Sequence, residues 1–313
     1  MSPPERSPVD PDAVARPEFL PDPALSRGEM ESLQRELAAT ATFADDHGVD
    51  PTAVAIDEPA DLTDGLPDAR QESLPGTHDD AGDPDAPVVV GVDQAFLTPD
   101  DGEDSAVSAA VAIRDSAVIE YASATTPLSI PYVPGLLAFR EGEPMLAALD
   151  ALDIEPDLLV CDGSGRIHFR EAGIATHVGV LLDVPSVGVA KSLLCGEPTA
   201  ATDERPEGWR TPIRADDSVE TVERGADAGG GTDPADKTDA TDATDVAPVI
   251  GHAFQSRQYP NSSRVNPLYV SPGHRVSAET AVELVDALCA GYKLPEPTRL
   301  ADAYADAVKR DRG

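Results

Sequence analysis

Apolar positions along this chain fall into two blocks, residues 87–196 and 251–313, separated and preceded by stretches rich in Asp, Pro and Gly. PVVVGVDQAF, from Pro87, is an unbroken apolar run around Val88, Val89 and Val90, and predicts a buried strand. SAVSAAVAIRD and AVIEYASATTP predict two further strands, joined by a tight turn at Asp115 and Ser116 as in a hairpin. FREGEPMLAALDAL switches to helical spacing, with Met145, Leu146, Leu149 and Leu152 on one side. PDLLVCDG is a short buried strand, REAGIATHVGVLLD a helix and PSVGVAKSLL another strand. Three strands followed by alternating helices and strands predict an α/β fold, a mixed sheet flanked by helices. Its site is expected in the loops beyond the carboxyl ends of the parallel strands.

Outside this unit the pattern thins. Residues 1–27 predict a mobile acidic tail. In GEMESLQRELAATATF (28–43), Met30, Leu33 and Leu37 recur at helical spacing, so a helix docks on the main body. Residues 44–86 read as an acidic linker, and the compact domain runs over 87–313. Within it, residues 197–248, with their repeated TDA triplets, predict a disordered acidic insertion. Order resumes at APVIGHAF; NPLYVSPGHRVS reads as a strand running into a turn. SAETAVELVDALCAG reads as a helix started by Ser277 and stopped by Gly291.

Composition narrows the class. No run of 18 apolar residues predicts a membrane span, and the N-terminus lacks an apolar leader, so a cytoplasmic protein with no membrane partner is expected. The three cysteines, Cys161, Cys195 and Cys289, show no CxxC spacing, which argues against a disulfide framework or a zinc site. The net charge of −35 argues at first against a nucleic-acid partner. The acid is unevenly placed, however: residues 251–313 hold eight basic and seven acidic residues. So acidic a chain, with two lysines before residue 238, resembles proteins that work in molar salt. There the screening length is about 3 Å and long-range repulsion fades.

Three acids carry candidate chemistry. Asp93 ends the strand VVVGVDQAF and Asp162 ends LLVCDG, so each is an acid emerging beside a core, a costly place unless it binds something. Glu141 opens the intervening helix. Carboxylates converging from neighbouring strands suit Mg²⁺, with Mn²⁺ as a substitute. Asp on the first strand, Glu on the first helix and Asp on the fourth strand resemble the ribonuclease-H-like nucleases. That alone reaches metal-dependent phosphodiester chemistry.

Longer blocks sharpen the reading. PYVPGLLAFREG, DGSGRIHFREAGIATHVGVLLDVPSVGVAKSLLCG, NPLYVSPGHRVS, GYKLPEPTRLADAYA, GVDQAF and, more weakly, ESLQRELA resemble the endonuclease V (deoxyinosine 3′ endonuclease) family, and specifically its haloarchaeal-like members. The resemblance spans roughly residues 28–43, 87–196 and 251–307. It implies that Asp93, Glu141 and Asp162 bind metal, that His274 is the active-site histidine, and that Lys191 stands near the scissile phosphate. It implies that Tyr132 is the wedge entering the duplex, and that Gly135, Leu137, Gly173 and Ile174 line a pocket for flipped hypoxanthine. Pro131 and Pro134 stiffen the loop around Tyr132. Arg170 and Arg275 are candidate phosphate clamps.

Two positions depart from the family pattern: Phe169 stands where Pro is usual, and Glu171 where a base is frequent. The expected activity is Mg²⁺-dependent cleavage of the second phosphodiester bond 3′ to deoxyinosine in DNA, leaving 5′-phosphate ends, by a monomer. Inosine in RNA is the alternative substrate. A non-catalytic nucleic-acid-binding module would have lost at least one of the three acids, and all three are present.

Overall fold

A computed structural model gives the architecture; it describes residues 9–70, 83–99, 102–221, 247–259 and 265–312. The strands are β1 (Val89–Leu97), β2 (Ser105–Arg114), β3 (Ala117–Pro127), β4 (Leu158–Asp162), β5 (Ser186–Ala190), β6 (Glu197–Pro198), β7 (Arg210–Arg214), β8 (Val249–Phe254) and β9 (Leu268–His274). The helices are α1 (Arg27–Thr40), α2 (Leu137–Leu149), α3 (Ile174–Leu182), α4 (Ala278–Ala287) and α5 (Glu296–Arg312). Among the described residues the nine strands form one sheet in the order β3-β2-β1-β4-β5-β9-β8-β7-β6. β1, β4 and β5 are parallel at its centre, and the remaining pairs are antiparallel. The hairpin β2–β3 turns at Asp115 (φ 48°) and Ser116 (φ 59°), the two positive angles that a two-residue turn requires.

The period-2 alternation of the central strands divides the core. Val90 and Val92 of β1, with Leu159 and Cys161 of β4, face Leu37 of α1, Leu146 of α2 and Leu181 of α3. Val89, Leu158, Val160 and Val187 face the opposite layer, built from Val282 and Val285 of α4 and Leu300 and Ala301 of α5. Gly91 explains how close α5 comes: a Cβ there would lie 2.1 Å from the Pro297 carbonyl carbon. Ser277 caps α4, its Oγ accepting from Thr280 N (3.1 Å).

Three expectations about the low-complexity stretches change. From residue 9 the N-terminal stretch is packed: Val9, Val14 and Phe19 are buried in the core, Arg16 N donates to Leu181 O (3.0 Å), and His177 Nε2 lies 2.7 Å from Phe19 O. In the expected linker, Val49, Val54 and Ile56 are buried in the α4/α5 layer. The expected insertion contributes β6 and β7 to the sheet, with Ile213 fully buried; residues 222–246, with the TDA repeats, lie outside the described residues. Among the described residues no helix is long and apolar enough to cross a membrane. Cys161, Cys195 and Cys289 are free thiols.

Candidate functional site

The parallel register Val92↔Cys161 places Asp93 and Asp162 on adjacent strands at one level, at the carboxyl edge of the sheet. Adjacent strands are about 5 Å apart, so the two carboxylates repel. Asp93 is buried; one oxygen accepts from Gln94 N (2.7 Å) and the other, Oδ2, is buried without a partner. Burial first, and then the charge of Asp162, push its carboxyl up to about 8. Glu141, from the first turns of α2, reaches the same edge from the other layer, and burial holds its carboxyl up at about 7. Gln94 ties the two approaches together, its Nε2 donating to Glu141 O (2.8 Å). Lys191, just past β5, donates to Asp162 Oδ2 (2.8 Å). Its ammonium is held above its usual range: burial opposes this, but the bond to Asp162 and the charges of Asp162, Asp93 and Asp302 outweigh it.

Asp302 is the residue that the acid pattern missed. It stands on α5 and acts electrostatically on both Asp93 and Lys191. Its sequence signal is RLADAY, inside the block GYKLPEPTRLADAYA that carries the family resemblance.

The structure does not bring His274 to this site. His274 ends β9 opposite Ser186, three residues of strand, about 10 Å, from the Val189 level where Asp162 lies. It is buried, with Nδ1 accepting from Thr42 N (3.2 Å) and Nε2 facing Asp183 Oδ1 (3.1 Å). Arg275 goes with it, donating to Asp46 O and Asp183 O rather than standing free as a phosphate clamp.

The second feature is a cavity of about 100 Å³ lined by Tyr132, Gly135, Leu137, His168, Gly173 and Ile174, among others. All five expected pocket and wedge residues therefore meet in one place. Tyr132 is 67% exposed at its mouth, and Leu194 is exposed beside it. Gly135 has φ +79° and carries the tightest bend of the loop. Its carbonyl accepts twice, from Gln34 Nε2 of α1 (3.0 Å) and from His168 Nε2 (3.2 Å). The second role is fixed because His168 Nδ1 already accepts from Arg170 N (3.2 Å), so Nε2 carries the hydrogen. Burial, with Arg170 nearby, depresses the His168 imidazole to about 4 and keeps it neutral. Gln34 also donates to Ala172 O (3.4 Å), next to Gly173 at the start of α3, so one buried amide spans both walls. Leu137 and Ala138, which also line the cavity, open α2, where a helix leaves its first N–H groups without an intrahelical partner.

Arg170 is not a clamp either. Its guanidinium donates to Gln34 Oε1 (3.1 Å) and pairs with Glu31 (3.0 Å), behind the loop. Phe169 packs at Gly135, its Cδ2 3.3 Å from where a Cβ would stand. Glu171 is fully buried and paired with Arg166 (2.6 Å), so it puts no charge on the surface.

Among the described residues no three acids, imidazoles or thiols are close enough to form a finished metal shell. The donor chemistry still fits a hard divalent cation: Asp93 keeps a buried, unpartnered carboxylate oxygen beside the charge of Asp162, which the Gln94 N–H and Lys191 offset in part.

Comparison with known proteins agrees with this arrangement. The profile of the Endonuclease V family matches residues 76–228 and 230–303. Endonuclease V of Halobacterium salinarum is 56% identical over 297 residues, covering 93% of this chain and 98% of that protein. Endonuclease V of Haloarcula marismortui is 53% identical over 296 residues, covering 94% and 96%. The crystal structure of Endonuclease V from Streptomyces avermitilis aligns with a TM-score of 0.58 at 32% identity, over 92% of this chain and 95% of that one. The fold is thus ribonuclease-H-like.

Proposed function

This chain belongs to the endonuclease V family and is an endonuclease, and from that premise we propose that it repairs DNA by cutting the second phosphodiester bond 3′ to deoxyinosine, with Mg²⁺ held by Asp93, Asp162 and Glu141. The observation that carries the reading is the coexistence of a carboxylate-lined strand edge and a small base-sized cavity on neighbouring loops.

Each part has a task for these residues. Tyr132, at the mouth of the cavity and stiffened by Pro131 and Pro134, fills the gap that the flipped base leaves. The N–H groups of Leu137 and Ala138 donate to the hypoxanthine carbonyl. Adenine presents an amine at that position and would leave those donors unpaired, the kind of mismatch by which sites reject analogues strongly. Gln34 and His168 keep the Gly135 carbonyl turned to them, so it does not compete for the base. At the acids, the cation supplies charge neutralisation at the phosphate and a more acidic water. Asp93, Asp162 and Glu141 bind it ionised, and Asp302 adds negative charge behind Asp93. Lys191 restrains Asp162 and offers a positive charge to the strand.

The test uses matched strands carrying deoxyinosine, deoxyadenosine or riboinosine, incubated with Mg²⁺ in molar KCl. Cleavage confined to deoxyinosine strands supports the proposal. Preference for riboinosine would move the substrate to RNA, and uniform cleavage of all three would remove the base pocket from the mechanism.

A further inference from the structure

Four large hydrophobic side chains are exposed among the described residues: Tyr132, Leu194, Tyr259 and Tyr292. On so acidic a surface their placement is informative, because clustered exposed apolar groups mark interaction sites. Tyr132 and Leu194 line the base cavity. Tyr292 precedes Lys293, which burial and the neighbouring charge of Lys191 hold below its usual range. Lys293 pairs with no carboxylate among the described residues. The segment that follows β8 comes close by: Ser256, three residues before Tyr259, donates its hydroxyl to Lys293 O (2.6 Å). Tyr132 and Leu194 thus mark the base cavity, and Tyr292 adjoins a lysine within electrostatic reach of Lys191.

Tyr292 is also built to stay in place. The guanidinium of Arg299 lies 4.4 Å from its ring centre and backs one face of the ring. Arg299 is itself anchored, donating to Glu296 Oε1 (2.6 Å) and Oε2 (2.7 Å) and to Ala60 O (2.7 Å). Glu296 cancels its charge, so Arg299 serves as a support for the ring rather than as a phosphate ligand. Arg299 stands three residues before Asp302 on α5, about 4.5 Å along the axis. The support of the ring and Asp302 thus stand about one turn apart on the same helix, and the ring itself is 45% exposed.

We propose that Tyr292, supported by Arg299 and flanked by Lys293, is a stacking platform that receives an unpaired base of the substrate strand beside the acidic site. This rests on the nuclease reading above and adds a second point of strand contact to the base pocket. Stacking on an aromatic ring tolerates any base and does not depend on counterion release, so it suits a polyanionic protein in concentrated salt. Lys293 adds a positive charge for the adjoining phosphate.

The experiment places 2-aminopurine at successive positions of an inosine-containing strand and measures its quenching and the strand's affinity, by anisotropy, in molar KCl without divalent metal. Wild type and Tyr292→Phe quench the probe at one position other than the inosine. Tyr292→Leu loses that quenching and binds about tenfold more weakly, with an unchanged melting temperature. The strand affinity of Tyr292→Leu staying within twofold of wild type, with quenching intact, overturns the proposal. A wild type that quenches at this position but does not prefer inosine over adenine upholds the platform and sinks the deoxyinosine reading. A wild type that binds neither strand sinks both.

Discussion

At the level of single residues, two side chains test which groups belong to the site. His274 is held by Thr42 and Asp183 at the far end of β5, whereas Asp302 lies within electrostatic reach of Asp93. We predict that His274→Gln keeps strand cleavage within about threefold of wild type, while Asp302→Asn lowers it by at least about a hundredfold, the scale of losing a charged group at a reacting phosphate. The reverse order in single-turnover rates would restore the histidine. Asp93 gives a pH test without substrate. Its folded carboxyl keeps its proton up to about 8, while an unfolded aspartate releases it near 4. The folded state then binds more protons between these values, so the stability of the metal-free protein falls as pH rises from about 4 to about 8. Glu141 acts in the same direction. Urea unfolding with EDTA should show that decline for wild type and a flatter profile for Asp93→Asn; parallel profiles would mean that Asp93 is not strained. Asp93, Glu141 and Asp162 were legible because each follows or opens an apolar element. Histidine in GHRVS was misleading for a physical reason: a polar residue at a strand end can face either end of the sheet, and only the antiparallel pairing of β9 with β5 decides which.

Among the elements, the central strands and α2 and α3 were legible because their apolar positions follow one period each. α5 was not, since its inward positions include the small residues Ala301 and Ala305, which give a weak pattern but let the helix press onto Gly91 of β1. The packed N-terminal stretch escaped notice as well: Val9, Val14 and Phe19 are single anchors between polar residues, held by short turns at Pro11–Ala13 and Pro17–Phe19. α1 was legible as a helix, but not its role. Through Gln34 it holds Gly135 on one wall of the cavity and Ala172 on the other. Gln34→Ala leaves these carbonyls and Arg170 short of a partner, and should cost about 1–3 kcal/mol. We expect it to narrow the ratio of kcat/KM for deoxyinosine over deoxyadenosine strands, with cleavage chemistry otherwise retained. An unchanged ratio would reduce α1 to a structural support.

For the whole molecule, a net charge of −35 and a nucleic-acid substrate are reconciled by where the contacts lie. Arg170, Arg275, Arg299 and Arg166 are all tied to protein acceptors, so these four are not free for phosphate, and Tyr132 stands exposed at the cavity instead. Affinity for an inosine strand should therefore fall only gently with KCl, with a log–log slope well below the magnitude of about 5 to 9 expected for six to ten phosphate contacts. A slope in that range would show that phosphate binding dominates after all. The account stands most directly on one assay: cleavage of a deoxyinosine duplex in molar KCl by wild type and Asp162→Asn, each with Mg²⁺ and with EDTA. It predicts a cut beside the lesion by wild type with Mg²⁺ alone. Equal cleavage by Asp162→Asn, or cleavage undiminished by EDTA, would contradict it.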